Sequence, residues 1–241
     1  MKSKGKLGLV IPTLNEAGNI EVVLDRVRAS LDSAGIDHEI VVVDDDSRDG
    51  TAEIVTRYGQ NDDRVRVLVR RGERGLAGAV IYGWQNTDAD LLGVMDADLQ
   101  HPPELLPKLV KAIDGGNDIA IGSRYTQEDG TAGWNPVRRI ISLLGTWVTV
   151  PLLNRTVRVK DPLSGFFVVR RTCIAGIPLQ PQGFKILLEI LVRGHIRSAA
   201  EVPFHFGVRH AGKSKANMKV AFDYFSLLGR LSVSTLLKLG S

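Results

Sequence analysis

The sequence predicts an α/β protein with a mostly parallel central sheet flanked by helices. Short apolar runs rich in Val and Ile recur along the first half of the chain, and each is followed by a helix-like stretch. The proportions agree: 241 residues, 44% hydrophobic and 24% charged, are those of an ordinary globular domain, which excludes collagen, disordered tails and multispan membrane proteins. A chain of this length buries roughly 70–75% of its unfolded surface, enough for one full-size core with a small appendage and room for an enzyme site.

In chain order, strands are expected at 7–11, 39–43, 65–69, 91–95 and 118–121, each a short run dominated by Val, Ile and Leu. Between them, 17–34, 51–58, 76–85 and 103–113 read as the helices that carry the chain from one parallel strand to the next. Ligands of such sheets sit at the carboxyl ends of the strands. Residues 122–136 are polar and Gly-containing, as in a loop, and the rhythm is lost beyond them. A helix at 137–150, strands at 165–170 and 199–206 and a helix at 186–192 are expected next. From Ala216 a last helix carries Met218, Phe222, Phe225 and Leu228 at i, i+4, i+7 and i+10, an amphipathic pattern. The organisation expected is therefore one domain over 1–215 and an amphipathic, membrane-interface element over 216–241. No repeat or low-complexity tract divides the chain.

Charge is unevenly placed. Residues 1–129 hold 15 Lys/Arg against 23 Asp/Glu, and residues 130–241 hold 16 against 4, so the two parts carry −8 and +12. The second part is suited to something anionic, a phosphate, a nucleic acid or a membrane surface, and a solvated basic face is the plainer alternative. Cys173 is the single cysteine, so a disulfide framework and a thiolate metal cluster are excluded, and the five histidines lack ligand spacing. Lys2, Lys4 and Lys6 lead straight into the first strand, and no apolar leader is expected. The longest uncharged run, 140–154, would be about 22 Å long as a helix against a hydrocarbon core of about 30 Å, so it is not expected to span a bilayer. With Trp134 and Trp147 near it and Arg138, Arg139, Arg155 and Arg158 around it, it reads either as an interfacial element or as an ordinary core helix.

The chemistry is concentrated at strand ends. The first strand runs into Ile11-Pro12-Thr13-Leu14-Asn15-Glu16 without the glycine fingerprint of a dinucleotide site, which argues against a dehydrogenase. The second ends in Val43-Asp44-Asp45-Asp46-Ser47, then Asp49-Gly50-Thr51. Carboxylates there can accept hydrogen bonds from a base or ribose, but Asp46, Ser47 and Asp49 equally read as a turn and a helix cap. The fourth ends in Asp96-Ala97-Asp98-Leu99-Gln100-His101-Pro102-Pro103. Two carboxylates spaced i, i+2 after an apolar strand can converge on a cation, and an oxygen-rich site with few protein ligands suits Mg²⁺ or Mn²⁺ shared with a diphosphate; a helix cap is the other reading. Both are expected on a solvated site rather than in the core. Residues 207–214 match the P-loop spacing, but the 27 residues after Ser214 hold no further strand, so the segment is better read as a basic loop with Arg209, Lys213, Lys215 and Lys219 for phosphate capture.

Together these residues resemble the dolichyl-phosphate (polyprenyl-phosphate) mannosyltransferases, family 2 glycosyltransferases of the Rossmann-like GT-A fold. The likeness runs from about Lys6 to Phe225. Besides the strings above, it includes Gly122-Ser123-Arg124-Tyr125, Asp161-Pro162-Leu163-Ser164-Gly165-Phe166-Phe167, Gly183-Phe184-Lys185 and Gly212-Lys213-Ser214-Lys215.

The resemblance implies that Pro12, Leu14, Glu16, Val43 and Asp45 line the nucleotide pocket. It also implies that Asp96, Asp98 and Gln100 hold Mg²⁺ or Mn²⁺ on the sugar diphosphate with Ala97 beside it, and that Arg124, Arg209 and Lys215 clamp phosphates. Asp98, Arg209 and Lys215 would carry the catalysis. Leu14 stands where relatives commonly have Tyr, and Asp46 where many have Gly. The implied reaction is inverting transfer of mannose from GDP-mannose to a polyprenyl phosphate such as dolichyl phosphate, at the cytoplasmic face of a membrane. The partners are then those two substrates and the membrane surface rather than nucleic acid, and a membrane domain or subunit beyond this chain is compatible with the family. Two rivals stay open: a same-fold transferase with another donor such as UDP-glucose or a non-lipid acceptor, and a non-catalytic basic module that leaves the Asp-x-Asp-x-Gln cluster unexplained.

Overall fold

The computed structural model describes residues 5–125, 157–180 and 186–205. Outside them lie the helix expected at 137–150, the 140–154 run with its tryptophans, Gly183-Phe184-Lys185, the P-loop-like string, Arg209, Lys215 and the C-terminal element over 216–241. None of the described helices is long and apolar enough to cross a membrane.

The strands are β1 (Leu7–Thr13), β2 (His38–Asp44), β3 (Val65–Val69), β4 (Leu91–Val94), β5 (Ile119–Ser123), β6 (Phe167–Arg170) and β7 (Ala199–Pro203). They form one sheet in the order β3-β2-β1-β4-β6-β5-β7. β1 pairs in parallel with β2 and β4, β2 with β3, and β5 with β7. Among the described strands only β6 runs against its neighbours, β4 and β5. The helices are α1 (Ile20–Ser33), α2 (Thr51–Gly59), α3 (Leu76–Gln85), α4 (Leu106–Asp114) and α5 (Ile186–Arg193).

Side chains alternate across a strand, so each strand feeds two cores. Leu9, Ile11, Ile40 and Val42 pack under α1, α2 and α4, where α1 contributes Ile20, Val23, Leu24, Val27 and Leu31 at helical spacing. Val10, Val41, Val43, Leu92 and Phe167 pack on the other face against Ala77, Val80 and Trp84 of α3 and Leu187 and Ile190 of α5. Covering both faces is what made the strands read as unbroken apolar runs rather than alternating ones.

α3 lies close on the sheet because Gly83 faces it. A Cβ there would fall 2.6 Å from one Val10 methyl and 3.0 Å from a Val43 methyl. Gly83→Ala should therefore destabilise the protein by about 1–3 kcal/mol in urea unfolding, the usual cost of overpacking; an unchanged midpoint would show that α3 can shift freely.

Element ends differ from expectation for local reasons. α1 begins at Ile20 rather than 17, because residues 17–19 form a turn closed by the Asn19 N–H donating to the Glu16 carbonyl at 2.9 Å. The helix expected at 103–113 opens as a 3₁₀ turn, Pro103–Leu105, before α4. Pro107 has no N–H to give the Pro103 carbonyl, which instead accepts from Leu106 one residue earlier. β7 stops at Pro203, so Phe204 and His205 extend past the sheet.

The order of strands places a topological switch between β1 and β4: the chain winds outward from β1 through β2 to β3, then returns to β1's other side. Pro12 marks the opening. The Val10 carbonyl accepts from Met95 N–H, so Val10 and Pro12 turn their backbone groups towards β4, whereas Thr13 turns its carbonyl towards Asp45 on the β2 side. The β1–β4 register ends at Val10 and Val94, so a proline, lacking its N–H, sits where the ladder has already parted.

Candidate active site

All the segments singled out in the sequence that are described emerge at one edge. Residues 14–16 follow β1, 45–49 follow β2, 95–101 follow β4 and Arg124 follows β5, and residues 70–75, which the sequence had not marked, follow β3 at the same edge. Because β6 is antiparallel, residues 161–166 enter it from this same edge, where Phe204 leaves β7.

The first two loops are laced together. Asp44, fully buried, accepts from the Thr13 hydroxyl at 2.8 Å, from Ser47 N–H at 2.8 Å and from the Ser47 hydroxyl at 2.6 Å. Ser47 Oγ in turn accepts from Asn15 N–H, Asn15 Oδ1 from Arg48 N–H, and Thr51 Oγ1 from Glu16 N–H. Asp49 accepts from Thr51 N–H and its hydroxyl, and from Ala17 N–H at 3.0 Å. Its burial favours the neutral acid, but these donors outweigh that and hold its pKa below the ordinary carboxylate value. Asp49 is thus a loop anchor that also accepts the first N–H of α2, while the helix's N-cap position is taken by Gly50. Asp46 adopts φ +60°, the left-handed region that glycine enters freely and aspartate tolerates. Pro12, Leu14 and Glu16 are half-buried around this loop pair, and Glu16 accepts from the Asn19 amide at 2.8 Å. Val43 is buried in the core beneath it.

Asp45 does not stand alone. Arg70, at the end of the neighbouring strand, donates Nε to Oδ1 at 2.8 Å and Nη2 to Oδ2 at 2.9 Å, and Gly75 N–H donates to Oδ2 at 2.8 Å. Both side chains are over nine-tenths buried. The pair fixes the direction of Asp45 and leaves about one of its four lone-pair sites for a ligand. The sequence reading did not include Arg70. Arg70 lies 25 residues from Asp45, and only the pairing of β2 with β3 brings the two together.

At the end of β4 the two carboxylates differ. The Asp96 side chain is about one-third exposed, as expected of a solvated site. Asp98 is not: it is 8% exposed and Oδ1 accepts from Gln100 N–H at 3.1 Å, a correction to the solvated position expected for it. Leu99 between Asp98 and Gln100 takes φ +61°, a strained conformation for a bulky side chain. Ala97 is buried and Gln100 half-buried. Beneath Asp96 lies His101, whose Nδ1 accepts the Asp96 backbone N–H at 3.3 Å. Burial pushes the imidazole pKa below its usual value, against the pull of Asp96 and Asp98. A ring that accepts at Nδ1 is neutral there, so the 3.7 Å from Nδ1 to Asp96 Oδ2 is not an ion pair.

Arg124 is held by Asp161. Nε and Nη2 donate to the two carboxylate oxygens at 2.8 and 2.6 Å, and Arg124 N–H adds a bond at 3.1 Å. Asp161 is wholly buried, and Glu201 of β7 accepts from the backbone N–H groups of Lys160 and Asp161 at 2.9 and 3.0 Å. Burial works against the Arg124 charge, but the Asp161 bonds prevail and raise its pKa. The expected phosphate clamp is thus first a bracket for the loop that enters β6.

The oxygen donors Asp96, Asp98 and Gln100 fit a hard divalent cation. Gly165 supports the fit: a Cβ there would lie 3.3 Å from Asp96 Oδ2, and its absence keeps one side of that carboxylate clear. Among the described residues no group of three or more His, Cys, Asp or Glu side chains forms a metal cluster.

Comparison with known proteins agrees with this architecture. Residues 9–175 match glycosyl transferase family 2. A dolichol-phosphate mannosyltransferase of Pyrococcus furiosus is 44% identical over 230 residues, 94% of this chain and 63% of its own length, so the chain spans just under two thirds of that relative. Enzymes of the same name from Mycosarcoma maydis and Saccharomyces cerevisiae are 37% and 35% identical, covering 92% and 93% of this chain and 78% and 86% of their own. Three solved structures share the fold. A mannosyl-3-phosphoglycerate synthase from Rubrobacter xylanophilus superposes with TM-score 0.68 at 21% identity, covering 98% of this chain and 75% of its own. A glucosyl-3-phosphoglycerate synthase from Mycobacterium tuberculosis, in complex with Mn²⁺, UDP and glucosyl-3-phosphoglycerate, gives 0.65 at 22%, covering 98% and 80%. A mannosyltransferase from Pyrobaculum calidifontis in complex with GDP-Man and Mn²⁺ gives 0.55 at 18%, covering 83% and 55%. With its parallel half-sheet, its switch-point carboxylates and these matches, the chain belongs to glycosyl transferase family 2.

Proposed function

We propose that the chain transfers mannose, with inversion, from GDP-mannose to a polyprenyl phosphate such as dolichyl phosphate. The observation that carries this reading is the pair Asp96 and Asp98 at the switch point of the sheet, in a chain 35–44% identical to dolichol-phosphate mannosyltransferases. Asp45, aimed by Arg70, and the Pro12–Glu16 loop would receive the nucleoside. Asp96, Asp98 and Gln100 would hold Mg²⁺ or Mn²⁺, which when bound neutralises charge on the leaving diphosphate as a Lewis acid.

The acceptor needs no strong base. A phosphate monoester is already largely dianionic near pH 7, its second pKa being about 6. His101 is buried with Nδ1 committed to the backbone, consistent with a site that does not remove a proton. What the site must do is hold two anions together. Of the described cations, Arg70 and Arg124 already neutralise Asp45 and Asp161. Arg209 and Lys215 are proposed to supply the missing positive charge. The described chain ends at His205, past the site edge, and four residues span at most roughly 13–14 Å. Replacing Arg209 and Lys215 by Ala should lower turnover more than GDP affinity; collapse of GDP binding with normal acceptor kinetics would place them elsewhere.

The basic, apolar stretches at 140–154 and 216–241 are proposed to rest on the membrane that contains the acceptor. The protein should then sediment with anionic liposomes and be partly released by high salt. Sedimentation unaffected by Trp147→Ser with Phe225→Ser would oppose this.

The donor is tested by thermal-shift titration with GDP and with UDP, each with Mn²⁺. GDP should raise the melting temperature at lower concentration, since a ligand at 100 times its Kd adds about 2.7 kcal/mol to the folded state. A stronger response to UDP would transfer the proposal to a uridine donor.

A further inference from the structure

We propose that His101 is a positioning residue for Asp96: by accepting the Asp96 backbone N–H at Nδ1, it sets the direction in which that carboxylate meets a divalent cation. The proposal rests on the metal reading above and adds to it a residue outside the donor set.

Three observations support it. First, the imidazole is fixed. It stacks on Phe166 with ring centroids 5.1 Å apart and planes at 24°, meets Phe204 edge-on at 5.8 Å, and only 4% of its side chain is exposed. A ring pinned by two aromatics offers its Nδ1 in one direction. Second, the bond closes the 96–101 segment on itself. Leu99 inside it holds φ +61°, a conformation costing on the order of 1–3 kcal/mol that persists only where its surroundings over-determine it. The bond to Asp96 N–H ties one end of the segment to the other across that strained residue. Third, the Asp96 carboxylate, the imidazole and Gly165 meet at one point. A Cβ on Gly165 would lie 3.3 Å from Asp96 Oδ2 and 3.6 Å from His101 Cε1, so ring and glycine bound one narrow slot.

Packing alone does not account for a histidine here. A phenylalanine would complete the cluster with Phe166 and Phe204 without burying polar nitrogens, whose desolvation is unfavourable unless bonded. What histidine adds is the acceptor at Nδ1. The aromatic contacts also extend the bracket, since Phe166 leads into β6 from the 161–165 loop and Phe204 leads out of β7.

The test is direct Mn²⁺ binding in the presence of GDP, read by the electron paramagnetic resonance of free Mn²⁺. His101→Phe keeps a ring and removes the acceptor; Mn²⁺ affinity should fall about 10–100-fold, the usual effect of losing an outer partner of a ligand, with metal-free GDP affinity unchanged. His101→Asn places an oxygen where Nδ1 stood, and His101→Gln places one where Nε2 stood. Asn should bind Mn²⁺ more tightly than Gln, a comparison that stands even if His101→Phe fails to fold. Wild-type Mn²⁺ affinity in His101→Phe, or Asn binding no better than Gln, would overturn the proposal. Failure of the metal reading has a different signature: no Mn²⁺ binding by the wild type with GDP, or Asp96→Asn binding as well as the wild type.

Discussion

Asp98→Asn is expected to lower transfer by about 10²–10³-fold or more, the loss typical of removing one preorganised electrostatic partner of a transition state, while the protein stays folded. Asp98 is almost buried and stands two residues from a second carboxylate, Asp96, whose like charge repels its own. Neutralising it should leave the unfolding midpoint unchanged or raise it. Asp96→Asn should lose a comparable amount of activity with even less effect on stability, its side chain being about one-third exposed. Initial rates with and without EDTA, beside circular dichroism melts, check both. Activity of the wild type that persists in EDTA would contradict the metal assignment.

Asp161→Ala should have the largest effect on stability. The carboxylate is wholly buried, carries three bonds from Arg124 and lies on the loop entering β6. Removing it strands a guanidinium that is itself mostly buried, which costs about 3–5 kcal/mol. Urea unfolding measures the loss. Asp161→Leu combined with Arg124→Met should recover most of it, because no unpaired charge is then left inside. If the double variant were as unstable as Asp161→Ala, the hydrogen bonds to backbone, rather than the charge pairing, would be the main contribution. Activity separates from stability here: the double variant loses the bracket on the 161–165 loop and should remain slow even when folded.

The strands of the first half were legible because a strand buried on both faces has little choice but Val, Ile and Leu, and β1 to β5 coincide with those runs to within two residues at either end. The direction of β6 was not legible. Phe167–Arg170 is as apolar as a parallel strand, and nothing in its own residues marks its direction. At the site, spacing singled out Asp96 and Asp98 as metal-ligand candidates, because two carboxylates spaced i, i+2 after an apolar run have few explanations. It did not separate Asp44, which holds a turn, from Asp45, which faces Arg70, since the three consecutive aspartates differ only in which way the strand turns them. Pairings across the sheet edge escaped for the same reason: Arg70 and Asp45 are 25 residues apart, Arg124 and Asp161 are 37 apart, and each is joined only by strand order. His101 was read as part of a string, while its role depends on Phe166 and Phe204 arriving from other strands.

The most direct test of the central claim is incubation of the purified protein with GDP-[¹⁴C]mannose, Mg²⁺ or Mn²⁺ and a short-chain polyprenyl phosphate, followed by organic extraction. The account predicts radiolabel in the lipid phase as polyprenyl-phosphate mannose, lost with EDTA and with Asp98→Asn. Label that remains in the aqueous phase under these conditions, together with lipid-linked sugar formed from UDP-glucose instead, would contradict it.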